Sequence, residues 1–273
     1  MTSNSAPPDP RRRRTVFYAA VLVAVALAVV GLGELMALAV LGWLDAAALD
    51  DMYPGASVHR MHVLAQAAIA WPIAIGIMIQ PWRSSRTFAA AIVALVVLAA
   101  YTVATAIAGV FDPLALIGIA ALGVIVWAHP GRPSARILPL QHRRLLLGAP
   151  LMLGGLALGA QQLFVQLSAA AGEPHAAIGH YAFTAAMAVG LAAAAAVGST
   201  SLHGRTLAAW LAVGGTLYYG LASIAFPAEA SSLGVAGGGA AVASAAVCAF
   251  GVVTSGASVA ESVTPKPRPQ PLG

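Results

Sequence analysis

A chain of 273 residues that is 60% hydrophobic and 8% charged, with a mean hydropathy of +0.85, excludes a water-soluble globular fold. Its formal net charge of +5 does not indicate a nucleic-acid partner, because the basic residues sit in short clusters between long apolar runs. The single cysteine, Cys248, excludes a disulfide framework and a thiolate cluster, and inside an apolar run it reads as a small buried residue.

A bilayer core of about 30 Å asks for roughly 20 apolar residues per helix. Eight runs answer that description: 16–42, 62–80, 87–111, 113–128, 145–167, 176–198, 206–227 and 233–257. The expected fold is all-α, a polytopic membrane protein of eight transmembrane helices. Residues 1–14 form a polar tail ending in Arg11 to Arg14. Arg13-Arg14-Thr15-Val16-Phe17 resembles a twin-arginine export signal, and Ala37-Leu38-Ala39 resembles a cleavage site. The apolar run continues to residue 42, beyond the roughly 7–15 residues of a signal core, so the first helix is expected to be retained.

The first span carries Glu34 near its far end, and the loop 44–60 contains Asp45, Asp50 and Asp51, read as a solvated face. His59, His62 and Gln66 follow at i, i+3 and i+7, on one helical face at the start of the second span. Tyr101 lies in the third span. The longest connection, 129–144, contains Pro130, Pro133 and Pro139. The fifth span has a small-residue Gly155-x-x-x-Gly159 face, then Gln161, Gln162 and Gln166. His180 and Thr184 open the sixth at i, i+4, Tyr218 and Tyr219 fall in the seventh, and Gly234 and Gly237 to Gly239 open the eighth. Pro72 and Pro150 are expected to kink their helices. Residues 259–273 form a second polar tail.

Charge sets the orientation. Arg11 to Arg14, Arg83, Arg86, Arg132, Arg136, Arg143, Arg144, Arg205, Lys266 and Arg268 alternate with loops carrying Asp45, Asp50, Asp51, Asp112, Glu173 and Glu229. Basic loops face the cytoplasm, so both termini are expected inside a cell (inner or plasma) membrane, and only Arg60 departs from the rule. His129, His142 and His203 fall in the basic loops and read as solvated. Thirteen of the fourteen basic residues are arginine, and with abundant alanine this points to a GC-rich bacterial source.

The chain also reads as a duplication. Arg86-Thr87-Phe88-Ala89-Ala90 aligns with Arg205-Thr206-Leu207-Ala208-Ala209, and His62 and Gln66 align with His180 and Thr184. The expected organisation is a tail (1–14), a first four-helix repeat (15–128), a linker (129–144), a second repeat (145–258) and a tail (259–273). Four helices return the chain to its starting side, which makes the two repeats parallel, related by an axis along the membrane normal.

Polar groups inside a bilayer are costly and tend to mark sites. His62 and His180 are the candidate ligands for a haem or a metal ion, since neutral imidazole nitrogen serves both. Glu34, His59, Gln66, Gln161, Gln162, Gln166 and Thr184 complete a candidate polar site at one depth. In architecture the chain resembles haem A synthase, two tandem four-helix bundles with histidines at the outer ends of corresponding helices. That resemblance implies haem ligands on the second and fourth helices of each bundle; this sequence matches at His62 and His180, while His129 ends the fourth span at the opposite side and the eighth has no histidine. No HExxH, G-x-S-x-G or GxxxxGK[ST] motif is present. Three functions follow as expectations: a haem- or metal-binding membrane redox protein, a small-solute transporter with a path between the repeats, or a non-catalytic subunit. The expected partners are the lipid bilayer and an integral membrane protein docked on the small-residue faces, with no nucleic acid.

Overall fold

The computed structural model describes residues 10–52, 54–55, 57–83, 87–132, 141–170 and 172–261. The described residues are helical, with no strand. In chain order the helices are α1 (Pro10–Leu41), α2 (Ala46–Met52), α3 (Arg60–Met78), α4 (Gln80–Arg83), α5 (Phe88–Ile107), α6 (Pro113–Ala128), α7 (His142–Ser168), α8 (Pro174–Ala177), α9 (His180–Gly198), α10 (Arg205–Ala225) and α11 (Gly234–Glu261). A 3₁₀ turn, Ser57–His59, leads into α3.

Seven of these helices are long and apolar enough to cross a membrane. The eighth expected span, α6, has 16 residues and falls short of that length. Its start is sharply defined. Asp112 Oδ1 accepts from Leu114 N–H at 2.9 Å and Ala115 N–H at 3.2 Å, and Pro113 occupies the first helical position, where no donor is missed. Pro72 and Pro150 lie inside the continuous helices α3 and α7.

Each half closes into a ring. In the first, α1 packs on α3, α3 on α5, α5 on α6 and α6 back on α1; in the second, α7, α9, α10 and α11 make the same circuit. The halves meet through α3 and α5 against α9 and α10. Hydrophobicity does not drive helices together in lipid, so close backbone approach must do so. Two glycines show how close. A Cβ at Gly76 in α3 would sit 2.7 Å from Ala90 O of α5, and one at Gly155 in α7 would sit 2.6 Å from Ala188 O of α9. Gly159 faces Val189 of α9, and Gly238 of α11 lies against Gly220 of α10. Of the small-residue faces expected to receive another protein, Gly155, Gly159 and Gly238 thus meet neighbours within the chain, while Gly154, Gly234 and Gly239 meet none among the described residues. Large apolar side chains cover the perimeter instead, among them Leu22, Val30, Phe111 and Phe164, as contact with lipid requires.

The connections gather at two ends. At the loop end, Tyr218 donates to Ala39 O at 2.7 Å and Gly179 packs on Val110. At the termini end, Arg13 donates to Trp127 O at 2.9 Å and Ala89 N–H donates to His203 O at 3.0 Å. Here the sequence reading of His129 is corrected. It is fully buried, not solvated, with its ring edge-on to Phe17 and Phe88. Gly131 N–H donates to its Nδ1 at 3.0 Å, so Nε2 carries the hydrogen and donates to Gln80 Oε1 at 2.9 Å. Gln80 in turn accepts from the Thr87 hydroxyl and donates to Gly76 O. Burial, with the Arg13 charge nearby as a lesser cause, pushes the His129 imidazole down to about 4.

Candidate functional site: a buried imidazole cluster at the loop end

Two local devices deliver four histidines to one place. On the first half, the Asp50 carboxylate accepts from Ser57 Oγ at 2.6 Å and Ser57 N–H at 2.8 Å, clasping the 3₁₀ turn that carries His59. Those two bonds hold the Asp50 carboxyl below its usual range. On the second half, Glu173 caps the short helix α8 by accepting from Ala176 N–H, with Pro174 at the first helical position. Gln166 then pins the chain from α7, donating to Ala176 O at 2.8 Å and accepting from Ala182 N–H at 3.3 Å. Gly179 turns into α9 at φ +75°, a conformation that penalises any side chain.

The rings are in mutual contact. His180 lies 4.5 Å from His59 and 4.6 Å from His62 between centroids; His175 lies 4.9 Å from His59 and 5.2 Å from His62. Tyr181 stands edge-on to His62. His175 is engaged at both nitrogens, Nδ1 with Glu173 Oε1 at 2.8 Å and Nε2 with Val58 O at 3.3 Å. Desolvation raises the Glu173 carboxyl, but the bonds from His175 and from Ala176 N–H outweigh it, so it is held below the usual carboxylate range.

The other three imidazoles differ. His59 Nδ1, His62 Nε2 and His180 Nδ1 are buried and have no hydrogen-bond partner among the described residues. His62 is 1% exposed, and its Nδ1 lies 3.3 Å from Thr184 Oγ1. Thr184 directs its own hydrogen to an acceptor, His180 O at 3.4 Å, so its oxygen receives the Nδ1–H of His62. That assigns the lone pair of His62 to the unpartnered Nε2. Leaving such an atom buried and unmet costs about 1–3 kcal/mol, and three of them on touching rings is the chemical signature of this end of the molecule. Among the described residues, no group of three or more His, Cys, Asp or Glu is placed to hold a metal ion.

The predicted site residues divide. His59, His62, His180 and Thr184 come together. Gln162 is buried one step away, accepting from Ser231 Oγ at 2.7 Å, and Ser231 O accepts from Tyr219. Gln166 positions the loop. Gln66 instead lines a cavity of about 290 Å³ inside the first bundle, with Tyr101 and Asp112. Gln161 is exposed and away from the cluster. The side chain of Glu34 lies outside the described residues. Sequence reasoning missed His175, because it sits in a loop where helical spacing carries no signal; its place five residues before His180, beside a Glu-Pro cap, was the available clue.

Arg60, the one basic residue against the charge rule, is 5% exposed, with its guanidinium 4.3 Å above the Phe226 ring. The Phe226 face takes its charge, while its Nε is buried without a hydrogen-bond partner among the described residues.

A haem does not fit between His62 and His180. Their rings touch at 32° between planes, and neither bundle cavity, the one beside Gln66 or that of about 210 Å³ beside Tyr219, is lined by a histidine. Comparison with known protein families, with curated proteins and with solved structures finds no match to this chain.

Proposed function

We propose that this is a multi-pass membrane protein that binds a transition-metal ion at the loop end, as a redox or metal-handling centre. The ligands are His59, His62 and His180, with His175 and Glu173 flanking them. The reading rests on the three buried imidazole nitrogens that no described residue satisfies. Imidazole suits copper, zinc and iron, and a three-histidine set keeps a coordination position open for a substrate or an electron donor. As they stand the three nitrogens do not converge on one point, so binding requires the rings to turn, which the broad sp³–sp² torsion of histidine permits. Thr184 acts as the outer partner that fixes the His62 tautomer. The ring packing within each half supports a duplicated four-helix origin, and the alternation of arginine and carboxylate loops supports cytoplasmic termini in a bacterial inner membrane.

The test is a titration of detergent-purified, chelator-treated protein with Cu²⁺ and Co²⁺, followed by visible absorption and bound-metal analysis. One ion per chain is expected, with ligand-field bands that His62→Ala abolishes and affinity at least about 100-fold weaker. Stoichiometric binding that survives both His62→Ala and His180→Ala, or no binding at all, overturns the proposal.

A further inference from the structure

The termini end is built differently in the two halves. In the first, Gln80, Thr87 and His129 bond to one another and fill the space between α3, α5 and α6. In the second, 119 residues further on, Ser199 and Thr206 stand at the positions of Gln80 and Thr87. The shorter Ser199 turns its hydroxyl back to Ala195 O at 3.0 Å, and a cavity of about 280 Å³ is left between α7, α9, α10 and α11. Arg144, Ser199, Arg205, Thr206, Cys248 and Gly251 line it, and among the described residues no carboxylate does. Arg205 Nε is buried without a hydrogen-bond partner among the described residues. Both arginines are half-buried, so each has lost part of its hydration, and no described carboxylate lies in the cavity to replace it.

We propose that this cavity binds a phosphate-bearing anion, the headgroup phosphate of an anionic phospholipid or free phosphate. A tetrahedral oxyanion supplies acceptors for the Arg205 and Arg144 guanidiniums, which match its geometry, and for the Thr206 hydroxyl. The start of α10, where Gly204 offers no side-chain cap, adds the positive end of a helix.

Native mass spectrometry of the full chain, released from micelles containing phosphatidylglycerol or phosphatidylcholine, tests this. One phosphatidylglycerol is expected to remain bound under conditions that strip phosphatidylcholine. Arg144→Gln with Arg205→Gln should lower that occupancy about tenfold, and Arg205→Lys should restore part of it. Ser199→Gln, which keeps both charges and fills the space as in the first half, should also lose the lipid. Thermal unfolding with millimolar inorganic phosphate separates the sources: a rise in Tm equal to that from phosphatidylglycerol, lost in the same variants, assigns the site to free phosphate. Equal retention of both lipids with no effect of the arginine variants or of phosphate overturns the proposal.

Discussion

His129 and His62 are both almost wholly buried, at opposite ends of the molecule, and they do different things. His129 has each ring nitrogen matched, one to Gly131 N–H and one to Gln80 Oε1, and aromatic edges around it. His62 has one nitrogen matched to Thr184 and one to nothing, with two further unmet imidazole nitrogens on its neighbours. Burial alone therefore does not distinguish the two histidines. Bonding capacity unmet among the described residues does.

Three measurements sharpen or break that contrast. The largest effect is expected at the satisfied histidine. His129→Ala leaves Gly131 N–H without its acceptor and Gln80 Oε1 with the Thr87 hydroxyl alone, and should destabilise the fold by about 1–3 kcal/mol while leaving metal affinity unchanged. Its pH signature is distinct. The folded-state value near 4 lies below the ordinary 6.5, so the neutral ring stabilises the protein fully above pH 6.5, and that contribution is lost as pH falls from 6.5 to about 4. Thermal unfolding against pH should show this loss in the wild type and not in His129→Ala. A loss of metal binding in that variant instead would erase the distinction between the two histidines.

Next comes Thr184→Val, which removes the acceptor that sets the His62 tautomer without changing side-chain shape. Metal affinity should fall about tenfold, with little change in Tm. An unchanged affinity would mean that His62 coordinates without help from its outer partner. The smallest effect belongs to Glu173→Gln. The carboxylate is held below its usual range, so its cap on α8 and its bond to His175 persist above the ordinary carboxyl pKa and are lost as pH falls through the lower folded value. The variant should cost about 0.5–1 kcal/mol at neutral pH and abolish that acid-side dependence in unfolding curves.

Much of the architecture was legible in the residues. Hydropathy located all eight long helices within a few residues, since 60% apolar composition leaves few other places for them. The run 113–128 is α6 residue for residue, and its 16 residues leave it shorter than the seven helices long enough to cross a membrane. Helical spacing put His59 and His62 on one face, and the matching position of His180 suggested a partner. His175 escaped because loops have no periodicity to read. Gln66 shares the helical spacing of His59 and His62, and Gln161 their depth, but neither spacing nor depth says which neighbour a side chain meets; Gln66 lines the first-bundle cavity and Gln161 is exposed.

The sequence by itself determined a helical membrane protein and the depth at which its polar groups lie, because local hydrophobicity and helical period are properties of adjacent residues. The tertiary structure decided which of those groups meet. It paired His62 with Thr184 across 122 residues, hid His129 in a closed network, and left Arg205 facing an open cavity. Hydrogen-bond satisfaction depends on partners that are distant in the chain, and so only the folded arrangement separates a structural histidine from a functional one.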